Sequence, residues 1–201
     1  KLRDLINYSC QLYNEQNINF NSKDVQKDLS EFFHDRFKNF LKEKEIRNDI
    51  IESITLNYNI DNILKIYKKT LTLNKFISKD IGKDVMFSYK RSSNIVLNEL
   101  KNSKIYLAGS ADPGLFKNEF EKILYKKIHE IRKKFTSTGR DYDYEGILME
   151  LSTARKEVND FFDNVKVNDQ DELIKKNRLE LLQMLCKTFD NYLNFSKVES
   201  L

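Results

Sequence analysis

One proline and five glycines in 201 residues leave this chain almost without punctuation. A strand-and-turn protein needs a breaker every few residues, so their scarcity favours long helices. Cysteine is nearly as rare. Cys10 and Cys186 stand far apart, and neither sits in a Cys-x-x-Cys or Cys/His spacing that would hold zinc. No disulfide framework is expected, and a reduced, cytoplasmic compartment fits. Histidine is limited to His34 and His129, and tryptophan is missing. There is no apolar run of membrane-spanning length and no basic-then-apolar leader, so no membrane partner is expected. The chain starts at Lys1 rather than at a methionine, and reads as a piece of a longer protein.

Charge of one sign is also lacking. Thirty-five Lys and Arg against 31 Asp and Glu give +4, too little for bulk electrostatics to hold a polyanion tightly at physiological salt. Any basic surface must therefore be local. The abundance of Lys, Asn and Ile is what an AT-rich coding sequence produces, so raw counts of Lys and Asn carry little weight.

What is present is helical periodicity. Phe116, Phe120, Ile123, Leu124, Ile128, Ile131 and Phe135 recur at steps of three and four, which only a helix gathers on one face. Asp112-Pro113 supplies its start, with proline in a first-turn position. Similar stripes run through Val25, Leu29, Phe32, Phe33, Phe37, Phe40 and Leu41, and through Ile60, Ile63, Leu64, Tyr67 and Leu71. Further helices are expected from Asp4 to Glu15, Ile46 to Leu56, Lys83 to Leu100, Tyr142 to Val158 and Asp171 to Tyr192. The sum is an all-α bundle of about seven or eight helices. Two interruptions stand out, "YLAGSADPG" from Tyr106 and "TSTGRDYD" from Thr136. The expected organisation is an N-terminal helix over 1–30, continuing from an upstream domain, and a helical domain over 31–201 with a sub-boundary at the loop 102–114.

Catalytic constellations are missing. There is no Gly-rich phosphate loop, no Gly-x-Ser-x-Gly and no His-Glu-x-x-His. His34-Asp35 resembles a metal-binding pair of phosphohydrolases, yet such a site needs more histidines than this chain offers. The acidic pairs Glu43/Glu45 and Asp141/Asp143 have no neighbour that would raise a pKa for acid catalysis. No catalytic residue and no metal site is expected here.

Three segments carry a resemblance. "FFDNVKVNDQDELIKKNRLELL", Phe161 to Leu182, resembles the carboxy-terminal signature of the beta subunit of bacterial heterotetrameric glycyl-tRNA synthetase. There, an aromatic-Asp-x-Val-x-Val segment and an acidic turn precede Ala-Leu-Arg-x-Asn-Arg-Leu-x-Leu-Leu. The same helix is similar to the motif of DALR anticodon-binding domains. "EFFHDRFKNFLKEKEIRNDIIESI", Glu31 to Ile54, and "YKRSSNIV", Tyr89 to Val96, resemble two upstream segments of that family, in the right order. One departure is that the motif's Arg falls on Lys175, which keeps the charge but loses the planar fork.

The resemblance implies an α-helical module that grips the anticodon end of tRNA(Gly). It implies as partner the alpha subunit, in an assembly of two alpha and two beta chains, where ATP and Mg serve the charging of tRNA with glycine. No cofactor is expected in this chain itself. Glycine anticodons share two cytosines, whose edges present an amino donor beside two acceptors. A pocket that reads them needs an acceptor beside a donor, and uracil then mismatches at roughly 1–3 kcal/mol per pair by analogy with DNA readout.

Two clusters meet that requirement. Lys90, Arg91 and Asn94 lie within one helical turn; the alternative is that Asn94 caps or braces a helix while the basic pair is solvated. At the join, Asp163, Asn164 and Lys166 fall in a non-helical stretch, with Asn177 and Arg178 in the helix after it. Arg178, flanked by leucines, either touches RNA or braces the loop through Asp163. Lys126, Lys127, Arg132, Lys133 and Lys134 form a candidate phosphate-contacting ridge, with a solvated charged face as the alternative. Tyr106, Tyr142 and Tyr144 are candidate stacking platforms. The rival function is a helical protein-interaction module for subunit or domain docking, without anticodon readout.

Overall fold

The structure, a computed structural model, describes residues 1–55, 62–103, 105–137, 143–191 and 194–198. Among these residues there are nine α-helices and no strand, so the chain is all-α. It divides inside its fourth helix into two compact units, Lys1–Asn74 and Lys75–Leu201.

The first unit contains α1 (Leu2–Glu15), α2 (Ser22–Glu43), α3 (Asn48–Thr55) and most of α4 (Ile63–Ile77). Asn21 caps α2, its side chain accepting a hydrogen bond from the Lys23 N–H at 3.1 Å. Both α1 and α2 end in Schellman turns. The Ile18 N–H reaches the Tyr13 carbonyl at 3.2 Å, and the Ile46 N–H reaches that of Leu41 at 3.2 Å. The residue that must turn left-handed is Asn17 in the first case and Glu45 in the second, each at φ 58°. Only the first is a residue type that tolerates this cheaply.

The broad stripe read along α2 narrows in the fold to His34, Phe37 and Leu41, with Phe32 and Phe40 exposed. Seven apolar positions span more arc than one face can bury, and the buried line takes the i, i+3, i+7 positions. His34 belongs to that line. Its Nε2 lies 3.0 Å from the Thr55 carbonyl oxygen, which can only accept, so Nε2 carries a proton. His129, in the second unit, lies against Tyr125 with ring centroids 4.4 Å apart. Among the described residues no group of three or more His, Cys, Asp or Glu is placed to hold a metal ion. Ile60, Leu56 and Asp141 lie outside the described residues.

The second unit is built around α9 (Glu172–Asp190), which is buried on nearly all sides from Asn177 to Phe189. α5 (Asp80–Asn102) and α6 (Glu119–Ser137) pack against it. α8 (Arg155–Asn164) packs on both α5 and α6, and so does α7 (Tyr144–Ser152). At the end of α9 the buried Tyr89 ring lies among Phe189 and Phe195, and its hydroxyl donates to Asp190 at 2.9 Å. Gly82 admits no side chain: a Cβ there would stand 2.0 Å from the Phe76 carbonyl oxygen.

Three expectations are corrected here. The helix expected from Tyr142 to Val158 is two, α7 and α8. The Ser152 and Thr153 hydroxyls donate to the Met149 and Glu150 carbonyls at 2.6 and 2.7 Å and compete with the ladder at that point. The stretch from Phe161 to Asn164, expected to be non-helical, is the last turn of α8. Asp112-Pro113 opens a short 3-10 turn over Pro113–Leu115 instead of α6. α6 starts at Glu119, where Asn118 accepts from the Phe120 N–H at 3.0 Å and Glu121 reaches back to the Asn118 N–H at 2.6 Å, a capping box.

Candidate nucleic-acid interface

The polar residues of the Asn-Arg-Leu segment face inward, and each ties a loop to α9. Asn177 makes two bonds with the backbone of Asp112, accepting from its N–H at 2.7 Å and donating to its carbonyl at 3.0 Å. Glu180 accepts from the Ala108 N–H at 3.0 Å, and Met184 Sδ from the Ala111 N–H at 3.2 Å. The loop from Tyr106 to Gly114 is therefore sewn to the core helix. Its one left-handed residue, Gly109 at φ 79°, runs so close to α9 that a Cβ would lie 2.3 Å from Lys187 Nζ.

Arg178 is the second tie. Its Nε donates to Glu121 at 2.7 Å, and one terminal nitrogen donates to the Lys166 carbonyl at 2.8 Å and to Asp169 at 2.6 Å. Glu121 is fully buried, and its other oxygen serves the capping box of α6. The brace expected through Asp163 thus runs through Glu121 and Asp169, because Asp163 lies in the last turn of α8 and is exposed. The N–H of Asp171 and the Arg178 guanidinium hold the Asp169 carboxyl below the usual carboxylate range.

With both ends pinned by Arg178, the chain between α8 and α9 forms one wall of a groove of about 340 Å³. α5 and the first turns of α9 form the others. On α5 the lining residues are Arg91, Ile95 and Glu99, spaced i, i+4, i+8 on one face. The last turn of α8 contributes Phe162, the α8–α9 segment Lys166 and Asn168 among others, and α9 Lys175 and Leu179. The Arg91 guanidinium carbon lies 4.1 Å from the Phe162 ring centroid, a cation–π contact. Across the groove Lys175 Nζ and Glu99 Oε2 form an ion pair at 2.9 Å. That hydrogen bond holds the Lys175 ammonium above the usual lysine range.

The structure thus brings parts of the two predicted clusters together and separates the rest. Arg91 and Lys166 share the groove. Lys90 points elsewhere, donating to the Ser196 carbonyl at 3.2 Å, and Asn94 is exposed. Asn164 donates to the Asp160 carbonyl at 2.8 Å within α8, while Asn177 and Arg178 are buried. Of the proposed ridge, Arg132 turns inward, donating to Thr188 Oγ1 at 2.7 Å and the Met184 carbonyl at 2.8 Å. Lys127 pairs with Glu130 and Glu157, and Lys134 with Glu150. Lys126 and Lys133 are exposed. Tyr106 is 80% exposed, Tyr144 is half-buried, and Tyr142 lies outside the described residues.

Glu99, Lys175 and Phe162 line the groove without being candidates in the sequence. Glu99 was legible in principle, two helical turns beyond Arg91 on the same face. Lys175 enters the sequence reading only as a departure from the motif, and Phe162 only as part of the segment that carries it.

Residues 85–201 match the DALR anticodon binding domain family. The chain is also similar to glycine-tRNA ligase beta subunits. It is 34% identical over 198 residues to that of Rickettsia canadensis (strain McKiel), covering 98% of this chain and 28% of the relative. It is 34% identical over 197 residues to that of Rickettsia conorii (strain ATCC VR-613 / Malish 7), and 35% over 198 to that of Rickettsia prowazekii (strain Madrid E). In both, 97% of this chain and 27% of the relative are covered. The chain thus spans under a third of the length of the curated relatives it matches. The resemblance carried by Phe161 to Leu182 is borne out by these similarities.

Proposed function

Because the chain belongs to the DALR anticodon binding domain family, we propose that it is the tRNA-binding, anticodon-recognising module of a glycine-tRNA ligase beta subunit. In this reading it works in the cytoplasm and helps the charging of tRNA(Gly) with glycine. The alpha subunit, as partner, carries out the ATP- and Mg-dependent chemistry, and this chain positions the tRNA. The observation that carries the reading is the groove between α5, the α8–α9 segment and α9. It joins a guanidinium backed by an aromatic ring to two further lysines. Stacking planes beside phosphate-seeking cations are what single-stranded RNA loops require.

A filter-binding titration tests this. Glycine tRNA is expected to bind more tightly than a version whose two anticodon cytosines are replaced, and affinity is expected to fall steeply as salt rises. Equal affinity for the two RNAs overturns the reading.

A second reading rests on a different observation. On α1, Leu5, Tyr8 and Leu12 are exposed at the i, i+3, i+7 positions of one face. Such a row supports docking of the first unit against protein. Binding through that row would be insensitive to salt, which separates it from the RNA contact.

A further inference from the structure

The groove contains a polar pair with the donor–acceptor order that distinguishes cytosine from uracil. Glu99 offers a carboxylate whose Oε2 is bound to Lys175 Nζ at 2.9 Å, and among the described residues no donor is bonded to its Oε1. Both side chains are held rather than waving in solvent, 27% and 13% exposed. The volume, about 340 Å³, stands at the small end of ligand sites, which run from ~300 to ~1,000 Å³, and suits one nucleotide rather than a base pair.

We propose that this groove takes one unstacked cytosine, with Glu99 accepting a hydrogen bond from the exocyclic amino group and Lys175 donating to the adjacent ring nitrogen or carbonyl oxygen. The base stacks on the outer face of the Arg91 guanidinium, which Phe162 backs from the other side. Lys166, at the rim, is available to a phosphate. Uracil presents a carbonyl oxygen where cytosine presents its amino group, so it would set an acceptor against the Glu99 carboxylate and a ring N–H against the Lys175 ammonium. The assignment also accounts for a lysine at the motif's Arg position. A compact ammonium reaches Glu99 and the base edge together, without the planar fork.

This assignment rests on the reading of the chain as an anticodon binder, and the test separates the two. The probes are the anticodon stem-loop of glycine tRNA and two versions, each with one anticodon cytosine replaced by uracil. They are titrated by fluorescence anisotropy against the protein and its Glu99→Gln, Lys175→Met and Arg91→Ala variants, with thermal melts to establish that each is folded.

The unaltered protein is expected to prefer the cytosine loop over one of the uracil loops by about 10-fold or more. Glu99→Gln, whose amide can donate to the uracil carbonyl, is expected to bring that ratio to within about 3-fold by tightening the uracil loop relative to the cytosine loop. Lys175→Met is expected to weaken the cytosine loop more than the uracil loop. Arg91→Ala is expected to weaken all three loops alike, by about 5- to 100-fold for a lost stacking plane. If the unaltered protein binds all three loops equally, the anticodon reading itself fails. If it discriminates and Glu99→Gln discriminates just as well, or loses affinity for all loops in proportion, the edge-reading role of this pair is overturned while the anticodon reading survives.

Discussion

Replacing Arg178 by methionine is expected to unfold the second unit more readily without touching any exposed surface. The guanidinium is about as buried as its leucine neighbours, its side chain 7% exposed, and the Glu121 side chain opposite it is at 0%. Methionine fills a similar stem but returns no donor. Three bonds disappear, to Glu121, to the Lys166 carbonyl and to Asp169. The Glu121 carboxylate is then left buried with only the Lys117 and Asn118 N–H groups, at 2.8 and 2.6 Å.

Breaking a buried ion pair from one side costs about 3–5 kcal/mol. The two surviving N–H bonds place this case near the lower end, about 3 kcal/mol. For a chain of this size that is a fall of roughly 6–12 °C in Tm.

The double variant Arg178→Met, Glu121→Gln should not fall twice as far. With both charges gone nothing is left buried and unpaired, so the combined loss stays near about 3–4 kcal/mol and the coupling is about 2 kcal/mol or more. Urea titrations followed by far-UV circular dichroism measure the totals, and hydrogen exchange of the α9 amides ties them to the second unit. A loss below about 1 kcal/mol for Arg178→Met, with strict additivity in the double variant, would refute the structural role.

Three other outcomes follow from the geometry. Glu45→Gly relieves a left-handed residue that is neither Gly nor Asn at the end of α2; it should stabilise the first unit by about 0.5–1 kcal/mol in thermal melts, whereas Asn17→Gly should be close to neutral, and a destabilised Glu45→Gly variant would contradict the Schellman assignment. Burial, with the Asp190 charge adding to it, pushes the Cys186 thiol up to about 12 from an ordinary 9.0; at pH 8 the folded protein should therefore hold roughly 1,000-fold less thiolate there than the unfolded chain, and iodoacetamide labelling read by mass spectrometry should be slower by at least that factor. Asp169, whose pKa is depressed, contributes stability that is present above its unfolded value of 3.8 and lost as pH falls through the folded one; Asp169→Asn should be less stable than the unaltered protein at pH 7, with the gap closing below about pH 4 in urea titrations.

Periodicity alone made the all-α class legible, since steps of three and four between apolar residues have no other folded reading. It located α2, α5 and α9 to within a few residues, because each carries a long buried face. It missed the break between α7 and α8. That break depends on two hydroxyls, Ser152 and Thr153, donating to carbonyls one turn back, and apolar spacing does not register such a competition. It also made the α2 stripe too wide, since a count of aromatic residues cannot tell Phe37, which is buried, from Phe40, which is 40% exposed. The start of α6 was displaced for a related reason. The proline six residues upstream is the stronger signal by composition, but the helix begins where Asn118 and Glu121 satisfy its first amides.

For the site, the sequence carried half of what was needed. Asn177 and Arg178 read as candidates for RNA, yet each ends on a backbone group or a buried carboxylate of the same unit. Of these, Arg178 bears on the groove, and indirectly. Arg178 holds the Lys166 carbonyl and Asp169, and those two points fix the α8–α9 segment that walls the groove. Arg178 therefore holds one wall of the groove, while Arg91, Glu99 and Lys175 are its charged lining on α5 and α9. A pattern along one strand of sequence cannot reveal that division of labour, because Glu99 and Lys175 are far apart in the chain and meet only when α5 and α9 pack side by side.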